Sequence, residues 1–305
     1  MDNWLPDFSA EVQRLLGYSP TTAGAYNGDI RRFWQYLRQK YGEAIPPERL
    51  GPQDVLDFLQ AEAQKGRRRA TLQRRIAALR VLERCLLLKK RIDKPFLPSE
   101  EQIVPVLQQG RPSRVSACLQ TEHLQRLWQT LLASPKRQAV RDLALIALLT
   151  ELGLALSTLL DLQVYQVDEK AHALWLPQIS GVDTPWELQA SWQPLLRYLK
   201  QGRQDLGPRP GETHLFISQQ GRPLSRQTVW HTLRTWGQAA GLELTLTPRV
   251  LRHTAAYRML SQGLPATTIG KVMGHSNPLS TSLLIRRLKE HCAGVPPAEI
   301  PLLPE

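Results

Sequence analysis

Apolar positions recur along most of this chain at spacings of three and four, the period of a helix with one buried face. Tyr26, Ile30, Phe33 and Leu37 form one such stripe. Ser19-Pro20-Thr21-Thr22 ahead of it supplies hydroxyls that can cap the free amides of a first turn. A second helix is predicted over 53–64, behind Gly51-Pro52, and a third over 70–90. The core face of the third is Leu72, Ile76, Leu79, Leu82 and Leu86, with arginines on another side. Residues 1–97 therefore read as one helical domain. The stretch 98–116 contains Pro and Gln and is weakly patterned, as a linker would be.

A second domain is predicted over 117–290. Thr121 opens a helix, with Glu122 near the positive end of its dipole. An apolar run from Arg141 to Leu152 stops at Gly153, and another helix begins at Ser157. Helices follow over 192–201, 225–240, 250–262 and 265–273. Two short runs, ALWL at 173–176 and WELQ at 186–189, have strand character and flank Ser180-Gly181-Val182-Asp183. The tail, 291–305, is rich in proline, and no internal repeat is visible.

Composition narrows the partners. The chain has 305 residues, 39 Lys and Arg against 27 Asp and Glu, and a net charge of +12, which points to a polyanion. Residues 65–94 hold twelve of the cations against Glu83 and Asp93 alone. Lys65, Arg67, Arg68, Arg69, Arg74, Arg75, Arg80 and Arg84 are thus candidate phosphate contacts, and such a cluster makes affinity fall steeply with salt. The competing reading is a solvated helix whose arginines lie along its own surface. Cys85, Cys118 and Cys292 are odd in number and share no metal-ligand spacing, so neither zinc nor a disulfide is expected, and no cofactor. The N-terminus lacks a basic, then apolar, leader pattern, and no window approaches eighteen apolar residues. A cytoplasmic, nucleoid-associated protein without a membrane span is the expectation.

Candidate chemistry sits in Thr247–Leu288, where Arg252-His253-Thr254 is followed by Gly274-His275-Ser276. Upstream lie Gly153-Leu-Ala-Leu-Ser157 and Phe216-Ile-Ser-Gln-Gln-Gly-Arg-Pro-Leu-Ser225. Together and in this order, they resemble the tyrosine recombinase (phage integrase) family, and Xer-like members in particular. The resemblance runs over nearly the whole chain. It implies a mainly α, multidomain fold: an N-terminal helical SAM-like core-binding domain and a C-terminal, mostly helical integrase catalytic-type domain with a small β-sheet. It also implies double-stranded DNA as partner. In that family a Tyr hydroxyl attacks a backbone phosphate. Two Arg stabilise the developing charge, a hairpin Lys protonates the leaving oxygen, and His assists proton transfer.

Arg252 and His275 stand at matching positions. The others depart from the pattern. Ala155 occupies the first Arg position, Arg249 replaces the first His, and 171–196 contains no Lys, Lys170 lying just before. Nine or ten residues beyond His275 are Leu284 and Ile285, and the last tyrosine is Tyr257. The reading is a pseudo-enzyme without catalytic residues, holding DNA as a non-cleaving regulator, architectural factor or recombinase partner. Two alternatives stay open. One is an active site-specific recombinase with displaced or trans-donated groups. The other is a protein-interaction module that does not bind DNA. Arg252 and His275 read equally as phosphate grip or as organisers of neighbouring loops, with Arg249 as an added phosphate contact. Ser276 and Asn277 read as caps of a following helix. Ile300, Leu302 and Leu303 read as an arm docking on another protomer or an active recombinase, or as a frayed tail.

Overall fold

The structure is a computed structural model and describes residues 20–111, 118–176, 185–275, 277–292 and 294–303. Ser19, Ser180–Asp183 and Ser276 lie outside the described residues, so their expected roles are not addressed. The chain divides into two compact units, Met1–Arg114 and Val115–Glu305.

In the first unit α1 (Pro20–Tyr41), α2 (Pro52–Gln64) and α3 (Arg69–Leu88) bury the stripes read from sequence. Ile30, Phe33 and Leu37 of α1 meet Phe58 and Leu59 of α2 and the leucines of α3 in one core. Phe33 and Phe58 pack edge to face at 5.2 Å, a favoured aromatic geometry. A fourth helix, α4 (Glu100–Gln109), fills most of the stretch expected to be linker. Its pattern is weak because Pro105 interrupts it and Ile103 is its buried residue. Ser99 and Gln102 form a capping box that starts it.

The same unit corrects the reading of its cations as unbalanced. Acids outside the basic segment, some adjoining it and some distant, meet them. Glu62 of α2 pairs with Lys65, Arg67 and Arg75, Asp29 of α1 with Arg74 and Arg75, and Glu100 of α4 with Arg80. Arg69 donates to the Gln108 carbonyl at 3.0 Å. Exposed pairs of this kind are weak and can exchange for phosphate. Arg75 is different: it is 1% exposed, ion-paired to Glu62 and Asp29, and its guanidinium lies over the Phe58 ring. It is a core residue, which corrects its assignment as a phosphate contact. Burial lowers its pKa.

The second unit packs α5 (Thr121–Leu132), the apolar α6 (Ala139–Leu152), the short α7 (Leu156–Leu160) and α8 (Trp192–Arg197) with α9 (Arg226–Ala239), α10 (Pro248–Ser261), α11 (Ala266–Val272) and α12 (Pro278–His291). Beyond α8 the chain continues through a π-helical turn, Tyr198–Gly202. α6 is buried on nearly every side, as its apolar run Leu143–Leu149 requires. Its one charged pair, Arg141–Asp142, is satisfied by the Ile217 carbonyl and by the Trp236 indole. A three-stranded antiparallel sheet of β1 (Val167–Asp168), β2 (Ala173–Leu174) and β3 (Trp186–Glu187) lies to one side. Val167 faces Leu174, and Ala173 faces Glu187. The two expected strands are present but only two residues long. The first strand, β1, had no period-2 signal because it follows a 3₁₀ turn directly.

The described part of the tail, 294–303, packs on its own unit. Ala298 and Ile300 are buried in the core of their own unit, the Glu299 amide donates to Thr121 Oγ1 at 3.1 Å, and Leu302 is 75% exposed. The arm reading is corrected for Ile300 and Leu303, which pack against their own chain.

Replacing Arg75 by Ala leaves Glu62 and Asp29 buried without their shared cation. Urea denaturation at pH 7 is expected to show a loss of about 3 kcal/mol, against less than about 0.5 kcal/mol for Arg84→Ala on the exposed face.

Candidate functional site

The site is assembled by three helix ends. α10 begins at Thr247, whose Oγ1 accepts the Val250 amide at 3.2 Å, with Pro248 pre-set for the first turn. This start puts Arg249, Arg252 and His253 at spacings of three and four, on one face. α6 ends at Gly153 in the left-handed region, φ +61. A Cβ there would lie 3.0 Å from that of Ala255, so only glycine lets α6 close against α10. α11 ends in a Schellman turn: the His275 amide donates to the Gly270 carbonyl at 2.9 Å, and that of Gly274, at φ +68, to Lys271 at 3.0 Å. That turn sends His275 back toward Arg252.

Arg252 joins these ends. Its Nη1 donates to the Gly153 carbonyl and its Nη2 to the Met273 carbonyl, each at 2.8 Å. Both carbonyls belong to C-terminal turns, where the helix dipole is negative. Among the described residues, no carboxylate forms an ion pair with this cation. Burial lowers its pKa to about 10, so it stays charged at neutral pH. His275 is fixed by a 2.8 Å hydrogen bond between its Nδ1 and Thr281 Oγ1 in the first turn of α12. Gly270 leaves room for that threonine, since a Cβ at 270 would lie 2.7 Å from Oγ1. Asn277 caps α12 by accepting the Leu279 amide at 2.9 Å, as expected from sequence.

These side chains line a cavity of about 600 Å³. Its polar lining among the described residues is Arg226, Arg249, Arg252, Arg287, His253, His275 and Ser280, without an aspartate or glutamate. Leu154, Leu156, Leu283 and Leu284 form its apolar wall, with Trp230 and Pro248. Both imidazoles are held neutral. Burial, with Arg249, Arg252 and Arg287 near, lowers the His253 pKa to about 4; burial and Arg252 lower that of His275. Arg249 Nε donates to His253 Nε2 at 3.4 Å, which leaves the buried His253 Nδ1 without a partner.

The cavity unites Arg249, Arg252 and His275. Lys65, Arg67, Arg68, Arg69, Arg74, Arg80 and Arg84 belong to the other unit, where all seven are exposed. Sequence reading did not single out Arg226, Trp230, Arg287 or Thr281. The first two are one turn apart on α9, and Ser280, Leu283, Leu284 and Arg287 follow a helical stripe on α12 that becomes legible once that helix is placed. Leu284, nine residues beyond His275, is in the wall. Tyr257 does not line the cavity: its hydroxyl is 2.7 Å from the carbonyls of both Cys292 and Val295. Lys170 is in the turn between β1 and β2, not ahead of the sheet, and it too is outside the lining.

Two helical units, the second carrying a small sheet and a cationic cavity, have the architecture of the DNA strand-exchange proteins that the sequence resembled. The chain belongs to the phage integrase family, whose profile matches residues 118–291, and the family's N-terminal SAM-like domain matches 5–90. It is 29% identical to Tyrosine recombinase XerC of Bacillus subtilis over 94% of this chain and 93% of that one. It is 26% identical to Tyrosine recombinase XerD of Lacticaseibacillus casei over 97% of both. Among solved structures it is similar to the Tn1549 transposon integrase in complex with a circular intermediate DNA (TM-score 0.73, 18% identity, 92% of this chain and 94% of that one). It is also similar to a lambda integrase dimer bound to a core site (TM-score 0.67, 16% identity, 93% and 94%). The relatives correct the pseudo-enzyme expectation: proteins matched over nearly their whole length are named recombinases, and they group this chain with enzymes. No helix among the described residues is long and apolar enough to cross a membrane.

The neutral, buried His253 ties stability to pH. Its folded pKa, about 4, lies below the unfolded value near 6.5, so the unfolded chain binds the extra proton first. Stability is full above about pH 6.5 and is lost as pH falls toward 4, by about 3 kcal/mol in all. Denaturation midpoints at pH 7 and pH 4.5 are expected to separate more for the natural chain than for His253→Gln. Equal separations would show that His253 does not carry the effect.

Proposed function

We propose that this chain grips duplex DNA as a subunit of a site-specific recombination complex, in which the acid-free cavity receives a backbone phosphodiester and another subunit provides the attacking hydroxyl. The observation that carries this reading is the grouping of Arg249, Arg252 and His275 around one cavity without a carboxylate. Arg252, desolvated and already fixed by two carbonyls, is pre-organised for a non-bridging oxygen at no reorganisation cost. Arg249 adds a second guanidinium. His275, its Nδ1 engaged by Thr281, has Nε2 left to face the phosphate.

The trans donation follows from chemistry. Residues 258–305 contain no tyrosine, and the Tyr257 hydroxyl is taken up by two carbonyls. Covalent strand cleavage needs a nucleophile, and this reading takes it from another subunit of the assembly. The apolar wall at Leu283 and Leu284 is a surface on which a partner's aromatic ring can rest. Similarity to integrases solved with DNA supports duplex DNA as ligand. The exposed cations Arg67, Arg68, Arg69 and Arg84 support a second, electrostatic contact through the first unit.

A suicide duplex separates the outcomes. Alone, the chain is expected to shift the duplex without a covalent adduct. Mixed with a tyrosine-bearing recombinase, it should yield an adduct on that partner, reduced about 100-fold or more when this chain carries Arg252→Ala. An adduct formed by the chain alone would overturn trans donation, and absence of any gel shift would overturn DNA binding.

Arg67/Arg68/Arg69→Ala is expected to weaken binding and to flatten the dependence of log affinity on log salt by about 0.9 for each phosphate no longer neutralised. An unchanged slope would remove these three from the interface.

A further inference from the structure

Four guanidiniums line the cavity from three helices: Arg226 on α9, Arg249 and Arg252 on α10, and Arg287 on α12. Among the described residues none of the four is ion-paired to a carboxylate. Burial keeps the two imidazoles neutral, so the lining carries the four arginine charges and no others. One backbone phosphodiester brings a single negative charge and leaves three cations unanswered in one enclosure, where they repel one another. A duplex strings its charges out along each strand, whereas a polyphosphate chain gathers them.

A phosphodiester also has no use for an aromatic ring, and one stands among these cations. Trp230 lines the cavity one turn from Arg226 on α9 and is 51% exposed. An exposed indole beside guanidiniums suits a flat base, since every base has a face that stacks on it. The cavity, about 600 Å³, is of the size that encloses a small organic ligand, about 300–1,000 Å³. His253 is a separate indication. It lines the cavity and is 5% exposed. Its Nε2 accepts from Arg249, so the neutral ring keeps its proton on Nδ1. That buried N–H meets no acceptor among the described residues, although buried donors ordinarily have one.

We propose that the cavity is also a binding site for a free nucleoside triphosphate, which shuts DNA out of it. The triphosphate, with about four negative charges at neutral pH, answers the four guanidiniums, whose forked donors match phosphate oxygens. One oxygen takes the His253 N–H, and the base rests on Trp230. No carboxylate among the described residues lines the cavity to share a magnesium ion with the ligand, so the metal-free triphosphate is the form bound. A nucleotide and a backbone phosphodiester cannot be held together, because both need Arg252. Binding of the nucleotide stands on the cavity alone, and its effect on DNA rests on the proposed function.

The full-length chain is titrated calorimetrically with ATP, tripolyphosphate and adenosine, with EDTA present. ATP is expected to bind about tenfold more tightly than tripolyphosphate, and both far more tightly than adenosine. Arg287 and Trp230 are exposed, so replacing either leaves the core intact. Arg287→Ala should weaken ATP and tripolyphosphate alike, by about tenfold or more, and Trp230→Ala should close the gap between them. In a gel shift, saturating ATP should weaken duplex binding about tenfold, and adenosine should not. Four results would each overturn the proposal. The first is no binding of ATP. The second is ATP and tripolyphosphate bound equally by the natural chain. The third is ATP affinity unchanged in Arg287→Ala. The fourth is ATP bound without any weakening of a duplex that the chain holds. ATP binding by a chain that shifts no duplex would keep the nucleotide site and remove DNA binding instead.

Discussion

A half-buried cation that meets no carboxylate among the described residues, Arg252, ties the second unit together at its site. Arg252 is held by the carbonyls that end α6 and α11, and through them it fixes where three helices converge. Desolvating a guanidinium is costly unless its donors are met. Here two helix C-termini meet them with partial negative charge, which is not enough to cancel a whole positive one. The residual charge faces a cavity that contains no acid. On the proposed function, structural and ligand-gripping roles for Arg252 do not compete: the two carbonyl bonds fix the side chain, and the charge left over is available to an anion.

Charge is distributed differently in the first unit. There the cations are numerous, exposed and answered by acids from other helices, so each holds its place loosely. Glu62 serves three of them at once, and Asp29 two in addition to the nearby Arg32. Only Arg75 belongs to the core. On the proposed function, the two units would divide two tasks of polyanion recognition: diffuse attraction that salt weakens, and one fixed, desolvated position that salt reaches poorly.

Much of the helical architecture was legible in the chain because amphipathic stripes and caps are local signals. The core faces of α1 and α3 and the stop at Gly153 belong to that class, whereas α10 starts at Pro248, two residues ahead of the expected 250. α4 was not legible, since Pro105 and a single buried isoleucine leave almost no periodicity. The ion pairs of the basic segment were hidden for a different reason: Asp29, Glu62 and Glu100 lie far from it or at its margin, and only folding apposes them. At the site, Arg249, Arg252 and His275 were readable as a motif. Arg226, Trp230 and Arg287 were not, because each reaches the cavity from a helix outside that motif. The tail misled most, as its prolines resemble a loose arm while Ala298 and Ile300 are packed in the core.

Gly270 has a consequence out of proportion to its size. It touches neither the cavity nor any charge, yet the space it leaves empty is where Thr281 sits to steer the His275 ring. One added methyl group would press on Thr281 in the next helix and turn the His275 ring from its bearing. The tolerance of this site to evolutionary drift is thus set partly at a position that has no side chain to drift.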